Sequence, residues 1–390
     1  MSPVASPLAV VRLLRAHPTA AAGLRALQAQ LRVVARFHAE EAGLVQLRYA
    51  PGASPADHPI VRECRGLILD ASANWAPVAF PFLRFFNDAP GAPTPIDWES
   101  ARVYDKLDGS MVVLYHHRGR WRVASSRRPD GSGVLGAFSD GGPVGFADHF
   151  WQTWRAEGYT LPDTPRWIYV FELSSRIHPI VVQHERDSLR LLGARDMATL
   201  AESFPEPVAA ARGWRSVAQR SLWPDGAPAR ARLAAVRAHV AGLDGRTAEG
   251  VVVCDGRFER LKFKSPGYLA RHWRFPLRGT GRRLARRKYL EVICAHEVDE
   301  FLAVCPLQAP FVAAVRRELD ALVSAIDAES AVLAGLSDPR AFAAAAGGRA
   351  HSTVLFARRK RPAQTTLSLL LRNRPERIER MLDAQPGGAS

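Results

Sequence analysis

Short apolar runs of strand length, separated by turn residues, occupy most of the chain between residues 60 and 265. Runs of this length with polar boundaries predict β-strands. The runs are residues 66–70, 101–105, 111–115, 121–124, 167–173, 189–194, 250–254 and 260–264. The third and fourth runs are joined by five residues with Gly119 at the bend, which predicts a β-hairpin.

Apolar residues at helical spacing appear in other parts of the chain. They predict one or two amphipathic helices over residues 7–42 and further helices over 147–157, 196–204 and 228–243. Residues 129–146 contain six glycines and two prolines, which predicts an exposed loop. Beyond about residue 285 the pattern is almost wholly helical. We therefore predict an α+β domain over residues 1–280 and a smaller all-α domain over residues 281–390.

The composition is that of an ordinary globular protein, with 47% hydrophobic and 23% charged residues in 390. No apolar run approaches the roughly 18 residues that a membrane-spanning helix needs, and no export signal is visible. The four cysteines are scattered and none pair at metal-ligand spacing. These features predict a reduced, cytoplasmic protein without a membrane partner.

The chain carries a formal charge of +15, from 53 basic and 38 acidic residues. Such an excess favours polyanionic partners, although an arginine-rich codon usage would produce the same charge. Lysine occurs only at positions 106, 262, 264, 288 and 360, and arginine supplies the other 48 basic residues. Because arginine stays protonated, it cannot serve as an amine nucleophile. The few lysines are therefore candidates for chemistry that arginine cannot perform.

Residues 106–110 read KLDGS and lie between two predicted strands. A lysine at the end of a buried strand is fixed in position and partly desolvated, which favours its neutral, nucleophilic amine. The alternative is a polar turn in which Asp108 and Gly109 serve only the backbone geometry.

Three further strings carry charged groups at strand ends. Residues 169–172 read YVFE, and Glu172 would bind a ribose hydroxyl or simply end a strand. Glu249 precedes a buried strand, where it would orient a divalent cation or have no role. Residues 261–264 read LKFK, and alternation places Lys262 and Lys264 on one face. Two adjacent ammonium groups favour a bound anion such as a phosphate, whereas the alternative is a solvated strand face.

The order of these strings resembles the motif series of the covalent nucleotidyltransferases, which include DNA ligases, RNA ligases and capping enzymes. The segment ECRG at 63–66, followed by FPFLRFFN at 80–87, is similar to the phage RNA ligase 1 family. FELSSRIHPIVV at 171–182 and KFKSPGY at 262–268 resemble two later motifs of that family. The resemblance covers about residues 44–272. It implies antiparallel sheets flanked by helices, with ATP and Mg²⁺ as cofactors.

The resemblance also implies the roles of individual residues. Lys106 would attack the α-phosphate of ATP and carry AMP, while Lys262 and Lys264 contact that phosphate. Glu172 would bind the ribose, and Glu249 would help to place Mg²⁺ through water.

The residues expected to bind the β- and γ-phosphates match the family's pattern less closely. By resemblance, Arg65 and Arg84 would hold the β- and γ-phosphates, although the family has lysine at the position of Arg84. Arg127 lies near a further lysine position of the family, within a segment whose alignment is ambiguous. Tyr49 and Phe171 are candidates for stacking on the adenine.

The implied substrate is RNA with 5′-phosphate and 3′-hydroxyl ends, in single strands or tRNA-like breaks, with an end-healing kinase or phosphatase as a possible partner. The oligomeric state is left open. The basic stretches 278–288 and 358–361 of the C-terminal domain are candidate phosphate contacts or merely solvated helix ends. Three rival readings stay open: a DNA ligase, an enzyme that only adenylylates, and an inactive nucleic-acid-binding relative.

Overall fold

A computed structural model describes residues 8–50, 54–55, 57–88, 96–137, 143–273, 285–295, 298, 301–302, 305–362 and 364–385. The chain divides into two compact units, Met1–Pro276 and Leu277–Ser390. The first unit has an α+β fold of antiparallel sheets flanked by helices, and the described part of the second is helical. The predicted fold class is confirmed.

The strands of the described part of the first unit form three sheets and a short ribbon. In chain order they are β1 (Val34–Phe37), β2 (Leu44–Arg48), β3 (Arg65–Asp70), β4 (Ala76–Ala79), β5 (Phe86–Asn87), β6 (Arg102–Lys106), β7 (Ser110–His117), β8 (Arg120–Ser125), β9 (Val134–Ala137), β10 (Pro143–Gly145), β11 (Trp167–Ser174), β12 (Ser188–Asp196), β13 (Glu202–Ser203), β14 (Gln219–Arg220), β15 (Gly250–Cys254) and β16 (Arg260–Lys264). Sheet I has the order β1-β2-β3-β4, sheet II β13-β12-β11-β7-β8, and sheet III β14-β6-β15-β16-β5. Neighbouring strands are antiparallel except β16 and β5.

The helices of the first unit are α1 (Ala9–Arg15), α2 (Ala20–Leu31), α3 (Pro59–Glu63), α4 (Phe146–Ala156), α5 (Pro205–Arg212), α6 (Ala229–Ala241) and α7 (Pro266–Trp273). Those of the second are α8 (Arg286–Ala295), α9 (Ala309–Leu333), α10 (Pro339–Ala346), α11 (Ser352–Lys360), α12 (Thr366–Leu370) and α13 (Pro375–Asp383). In the described part of the chain, no helix has the length and apolar character needed to cross a membrane.

Sheet II is covered on both faces, which explains why the run at 111–115 is apolar at every position. Val113 and Tyr115 pack against Ile68 of sheet I. Val112 and Leu114 pack on the other face, against α4 and its aromatic neighbours. Sheet III packs against α6 instead. The strands predicted at 66–70, 101–105, 111–115 and 121–124 are confirmed with ends shifted by at most two residues.

The helical prediction for residues 7–42 is correct for α1 and α2 and wrong beyond them. Arg32 adopts a left-handed conformation (φ 53°) and ends α2. Residues 34–37 then form β1, because they pair along β2 at the edge of sheet I. This pairing partner lies outside the local pattern from which the helix was predicted.

The predicted helix at 196–204 is wrong. Asp196 accepts a hydrogen bond from the backbone N–H of Ala198 (2.9 Å), and Leu200 has φ 61°. These features make a turn, and the helix begins only at Pro205. The predicted loop at 129–146 is likewise corrected, because its described residues include β9 and β10, with residues 138–142 outside the described part.

The second unit is organised by α9. Its buried residues Val312, Val315, Leu319, Leu322 and Ile326 recur at intervals of three and four, so they form one apolar stripe. Residues 278–284 of one predicted basic stretch lie outside the described residues. Five of the described basic side chains bind groups of the protein itself: Arg286 pairs with Glu318 and Asp383, Arg287 with Glu379, Lys288 with Glu291 and Arg358 with Asp327, while Arg359 donates to the carbonyls of Leu336 and Ser337.

Candidate active site

Three strands of sheet III bring Lys106 and Lys264 to the same end of the sheet. In the strand register, Lys106 at the end of β6 lies opposite Gly250, the first residue of β15. Gly250 in turn lies opposite Lys264, the last residue of β16. The two lysines are 158 residues apart in sequence, and backbone pairing alone places them in one row.

Glu249 forms ion pairs with both lysines. Its Oε1 atom lies 2.7 Å from the Nζ of Lys106 and 3.0 Å from the Nζ of Lys264. The side chains of Glu249 and Lys264 are 4% and 8% exposed, whereas that of Lys106 is 21% exposed. Lys106 is therefore the member of this group that an incoming reactant can reach most easily.

The loop after Lys106 is held by Asp108. The Oδ2 atom of Asp108 accepts hydrogen bonds from the backbone N–H groups of Val181 (2.8 Å) and Val182 (2.6 Å). Its Oδ1 atom accepts one from the hydroxyl of Tyr268 (2.8 Å), and its carbonyl oxygen lies 2.7 Å from Nε2 of His184. Asp108 is buried, so these contacts fix the loop that carries Lys106.

Sequence reasoning missed the part played by Tyr268 and His184 in this network. Tyr268 ends the KFKSPGY string, which was a signal that a role existed. The string gave no indication that its partner would be Asp108, which is 160 residues away.

Gly109 is required by close packing between the loop and sheet II. A Cβ atom at this position would lie 2.5 Å from the carbonyl oxygen of Leu173 and 3.2 Å from the Cγ of Glu172. Because only glycine permits this approach, the loop can place Lys106 beside the end of β11. The KLDGS segment therefore forms a turn, and the same turn also positions Lys106.

Glu172 lies on β11 opposite Met111 and faces the same region as Lys106. Burial raises the pKa of Glu172 from 4.5 to about 8, and the nearby Glu249 and Asp108 act in the same direction. Lys106 and Arg65 oppose this pKa shift without cancelling it. Glu172 is therefore largely a neutral carboxylic acid at pH 7 in the protein without a ligand.

Lys262 and Arg65 flank one aromatic ring. The Nζ of Lys262 lies 5.3 Å from the ring centre of Phe85, and the guanidinium carbon of Arg65 lies 4.8 Å from it. Lys262 and Lys264 share one face of β16, as the alternation predicts. The structure thus brings Lys106, Lys262, Lys264, Arg65, Glu172 and Glu249 into one region of the first unit.

Arg84 is placed differently from these residues. It is 2% exposed, and its guanidinium carbon lies 4.2 Å from the ring centre of Tyr49 and 5.3 Å from that of Phe86. The ring of Tyr49 therefore packs against the guanidinium group of Arg84. Phe171 lies in the core beside Trp214 and Phe150, on the opposite face of β11 from Glu172, so it cannot stack on a base.

A cavity of about 310 Å³ opens beside Lys106. It is lined by Lys106, Glu249, Val182, His184, Arg220 and His239, among others. Asp105 and Arg220 form a bidentate ion pair on its wall, with N–O distances of 2.7 and 2.6 Å. The volume falls at the lower end of the range for small-molecule sites. Glu172, Lys262, Lys264 and Arg65 are not among the residues that line this cavity.

The side chains at this site do not form a preassembled metal-binding site. Among the described residues, no group of three or more His, Cys, Asp or Glu side chains is arranged to hold a metal ion. Glu249 and Glu172 are single carboxylates at the site. Mg²⁺ is commonly bound by one or two carboxylates together with water and substrate phosphates, so these residues fit an ion that arrives with a nucleotide.

The first unit thus has a partly exposed lysine beside a cavity of about 310 Å³, with further cations nearby. The chain is 35% identical over 95 residues to a protein of the Autographa californica nuclear polyhedrosis virus described as "Putative bifunctional polynucleotide kinase/RNA ligase". The aligned segment is 22% of this chain and 14% of the viral protein, so the chain matches only a small part of that relative's length. No family model matches the chain.

Solved structures of RNA ligases show a distant likeness. An archaeal ATP-dependent RNA ligase, form 2, is 15% identical, with 83% of this chain and 82% of that chain covered and a TM-score of 0.43. A Naegleria gruberi RNA ligase with pyrophosphate is 13% identical, with 52% and 67% covered and a TM-score of 0.32. Likenesses at this level assign no activity.

Proposed function

We propose that this chain is an ATP-dependent RNA ligase, similar to the RNA ligase 1 family, that joins 5′-phosphate and 3′-hydroxyl ends. The main support is the position of Lys106, which is partly exposed at a cavity of about 310 Å³ and contacts the Glu249 carboxylate at 2.7 Å. The partial sequence similarity to a viral kinase/RNA ligase supports RNA as the substrate. Residues 1–280 would be the adenylyltransferase domain, and residues 281–390 a domain for RNA recognition.

In the first step, the Nζ of Lys106 attacks the α-phosphorus of ATP. The ammonium group must first lose a proton, and the Glu249 carboxylate at 2.7 Å is positioned to accept it. A P–N bond then forms, the P–O bond to the β-phosphate breaks, and pyrophosphate leaves with the electron pair. The products are a lysyl-AMP and free pyrophosphate.

Lys262 and Lys264 stabilise the negative charge that develops at the α-phosphate. Their shared face on β16 aims both ammonium groups at one region, and Lys264 is already in the row with Lys106. Stabilisation by such fixed charges is usually the largest single contribution to catalysis of this kind. Arg65, and Arg84 after a side-chain movement, would hold the β- and γ-phosphates.

Glu172 binds the ribose in this scheme. Its raised pKa makes it a carboxylic acid that can donate and accept a hydrogen bond at neutral pH. Mg²⁺ bound with the nucleotide would neutralise phosphate charge, and Glu249 would help to place it through water.

In the second step, an oxygen of the RNA 5′-phosphate attacks the lysyl-AMP, and Lys106 leaves as an amine. In the third step, a 3′-hydroxyl attacks the RNA-adenylate, seals the strand and releases AMP.

The four cysteines are free thiols, which supports action in a reducing compartment such as the cytoplasm. Ends produced by an end-healing kinase or phosphatase would supply the substrate.

Strand joining with matched substrates tests the proposal. The full chain is incubated with ATP, Mg²⁺ and a 5′-phosphorylated single-stranded RNA, DNA of the same sequence, or a nicked DNA duplex. We expect ligated or circularised RNA and little joined DNA. Preferential joining of DNA would contradict the proposed substrate, and stable protein adenylylation without any joining would indicate an enzyme that only adenylylates.

A further inference from the structure

Three arginines of the first unit share one buried carboxylate. An oxygen of Glu157 lies 4.0 Å from a guanidinium nitrogen of Arg186 and 3.5 Å from one of Arg190. The other oxygen lies 3.5 Å from a nitrogen of Arg215. The side chain of Glu157 is 4% exposed, whereas those of Arg186 and Arg215 are 62% and 54% exposed. We call Arg186, Arg190 and Arg215 the arginine surface.

The backbone beneath the arginine surface is held by Tyr159, two residues after Glu157. The hydroxyl of Tyr159 donates a hydrogen bond to the carbonyl oxygen of Leu189 (3.1 Å) and accepts one from the backbone N–H of Arg215 (3.0 Å). The backbone N–H of Leu191 donates to the carbonyl oxygen of Arg215 (2.9 Å). These contacts bring the chain segments together without the use of a guanidinium group.

The contacts with Glu157 leave N–H donors of the arginine surface available. A charge-assisted hydrogen bond between a guanidinium group and a carboxylate is about 2.7–2.9 Å long, and all three distances to Glu157 are longer. Among the described residues, the buried Oε1 of Glu157 has no hydrogen-bond donor. Arg166 shows the closer alternative, since it pairs with Asp196 at 2.8 Å.

The arginine surface carries more positive charge than its acidic neighbours cancel. In the described part of the chain, no carboxylate other than Glu157 forms an ion pair with the three arginines. Two more carboxylates lie on the loop that carries Arg186. Asp187 pairs with Arg176 instead, and Glu185 is exposed. Counting Glu157 and Glu185 against three guanidinium groups still leaves an excess of positive charge, which favours a polyanion.

The loop between β11 and β12 connects the arginine surface to the candidate active site. On this loop the backbone N–H of Val182 binds Asp108 (2.6 Å), and Arg186 follows it. At the start of β12, Arg190 lies opposite Glu172 in the strand register. A chain whose end lies at the candidate active site can therefore extend onto the arginine surface.

We propose that the arginine surface binds backbone phosphate groups of the RNA substrate, away from the end that reacts. This proposal rests on the proposed function and specifies a part of the first unit that holds the RNA. Contacts with backbone phosphates position a nucleic acid without reading its sequence. Each such contact releases counterions, so RNA binding becomes weaker as the salt concentration rises.

The salt dependence of RNA binding tests this surface without requiring catalysis. Fluorescence anisotropy measures the Kd of a labelled single-stranded RNA with hydroxyl groups at both ends, for the full chain and for the double variant Arg186→Gln/Arg215→Gln. We expect the Kd at about 0.1 M salt to rise about tenfold or more in the double variant. The slope of log Kd against log salt concentration should fall by about 0.7 for each arginine removed. Because both side chains are more than half exposed, the melting temperature should change little.

Arg166→Gln is the matched control. Arg166 is 65% exposed, precedes β11 at the end opposite Glu172, and has Asp196 as its partner. We expect its Kd to stay within about twofold of the wild type, with the same salt slope. A salt slope in the double variant equal to that of the wild type overturns the proposal, and so does failure of the wild type to bind the RNA.

The proposal and the proposed function can fail separately. If the wild type binds RNA with the expected loss of slope in the double variant but takes no AMP from ATP, the proposed function fails and the arginine surface stands. If the wild type takes AMP and the double variant binds RNA as tightly as the wild type at every salt concentration, the arginine surface fails and the proposed function stands.

Discussion

At the scale of single residues, the site depends on carboxyl groups that do different work in similar surroundings. Glu249 is shared between Lys106 and Lys264, and Asp108 is saturated by hydrogen bonds from the following loop and from Tyr268. Among the described residues, Glu172 has neither ion pairs like those of Glu249 nor several hydrogen bonds like those of Asp108. Its pKa is raised instead. The three groups can thus serve charge pairing, loop positioning and neutral hydrogen bonding respectively.

The raised pKa of Glu172 predicts a pH-dependent stability. A glutamate with an ordinary pKa of 4.5 in the unfolded chain and about 8 in the folded protein keeps a proton on folding between these values. Its contribution to the free energy of unfolding therefore falls as the pH rises from about 5 to about 8, and is constant above that.

Melting temperatures of the wild type and Glu172→Gln across this pH range measure the effect. We expect the wild type to lose melting temperature relative to Glu172→Gln as the pH rises. Glu185→Gln, which changes an exposed glutamate on the following loop, is the control and should show a constant difference. A difference for Glu172→Gln that is constant or grows in favour of the wild type would refute the assigned pKa direction.

At the scale of secondary structure, the candidate active site is a consequence of strand register. Gly250 occupies the centre of the row that contains Lys106 and Lys264, and its φ of 154° brings the backbones of β15 and β16 together. A Cβ atom at Gly250 would lie 2.0 Å from the carbonyl oxygen of Phe263 and 2.9 Å from the Cα of Lys264. Both contacts are with backbone, which cannot move away cheaply.

Gly250→Ala should therefore cost more than ordinary glycine strain. We expect a loss of at least about 3 kcal/mol in the free energy of unfolding, measured by urea denaturation. The control is Gly226→Ala, where φ is 76° but no atom lies within 4 Å of the added Cβ, and a loss of about 1–2 kcal/mol is expected. Equal losses in the two variants would show that the close approach of β15 and β16 is not essential.

At the scale of the whole molecule, sequence patterns correctly predicted those strands whose structure is determined by their own residues. The strands that carry Lys106 and Glu172 were predicted because each is a short apolar run with a polar end. Alternation also predicted that Lys262 and Lys264 share a face.

The same patterns failed where distant partners decide. Residues 34–37 form a strand because β2 is available beside them. Arg84 is buried between Tyr49 and Phe86, and its motif does not predict these contacts. The contact of Glu249 with Lys106 is also not predicted, because it depends on the pairing of β15 with β6, strands that are about 150 residues apart in sequence. None of these partners is encoded by local spacing.

Formation of a covalent AMP adduct on Lys106 tests the central claim most directly. The full chain is incubated with α-labelled ATP and Mg²⁺, alongside Lys106→Ala, Lys106→Arg and the control Lys288→Arg, which changes a lysine that pairs with Glu291 in the second unit. We predict a labelled protein for the wild type and Lys288→Arg, and no label for either Lys106 variant, since a guanidinium cannot act as the nucleophile. Label retained in Lys106→Ala or Lys106→Arg, or absent from the wild type, would contradict the account.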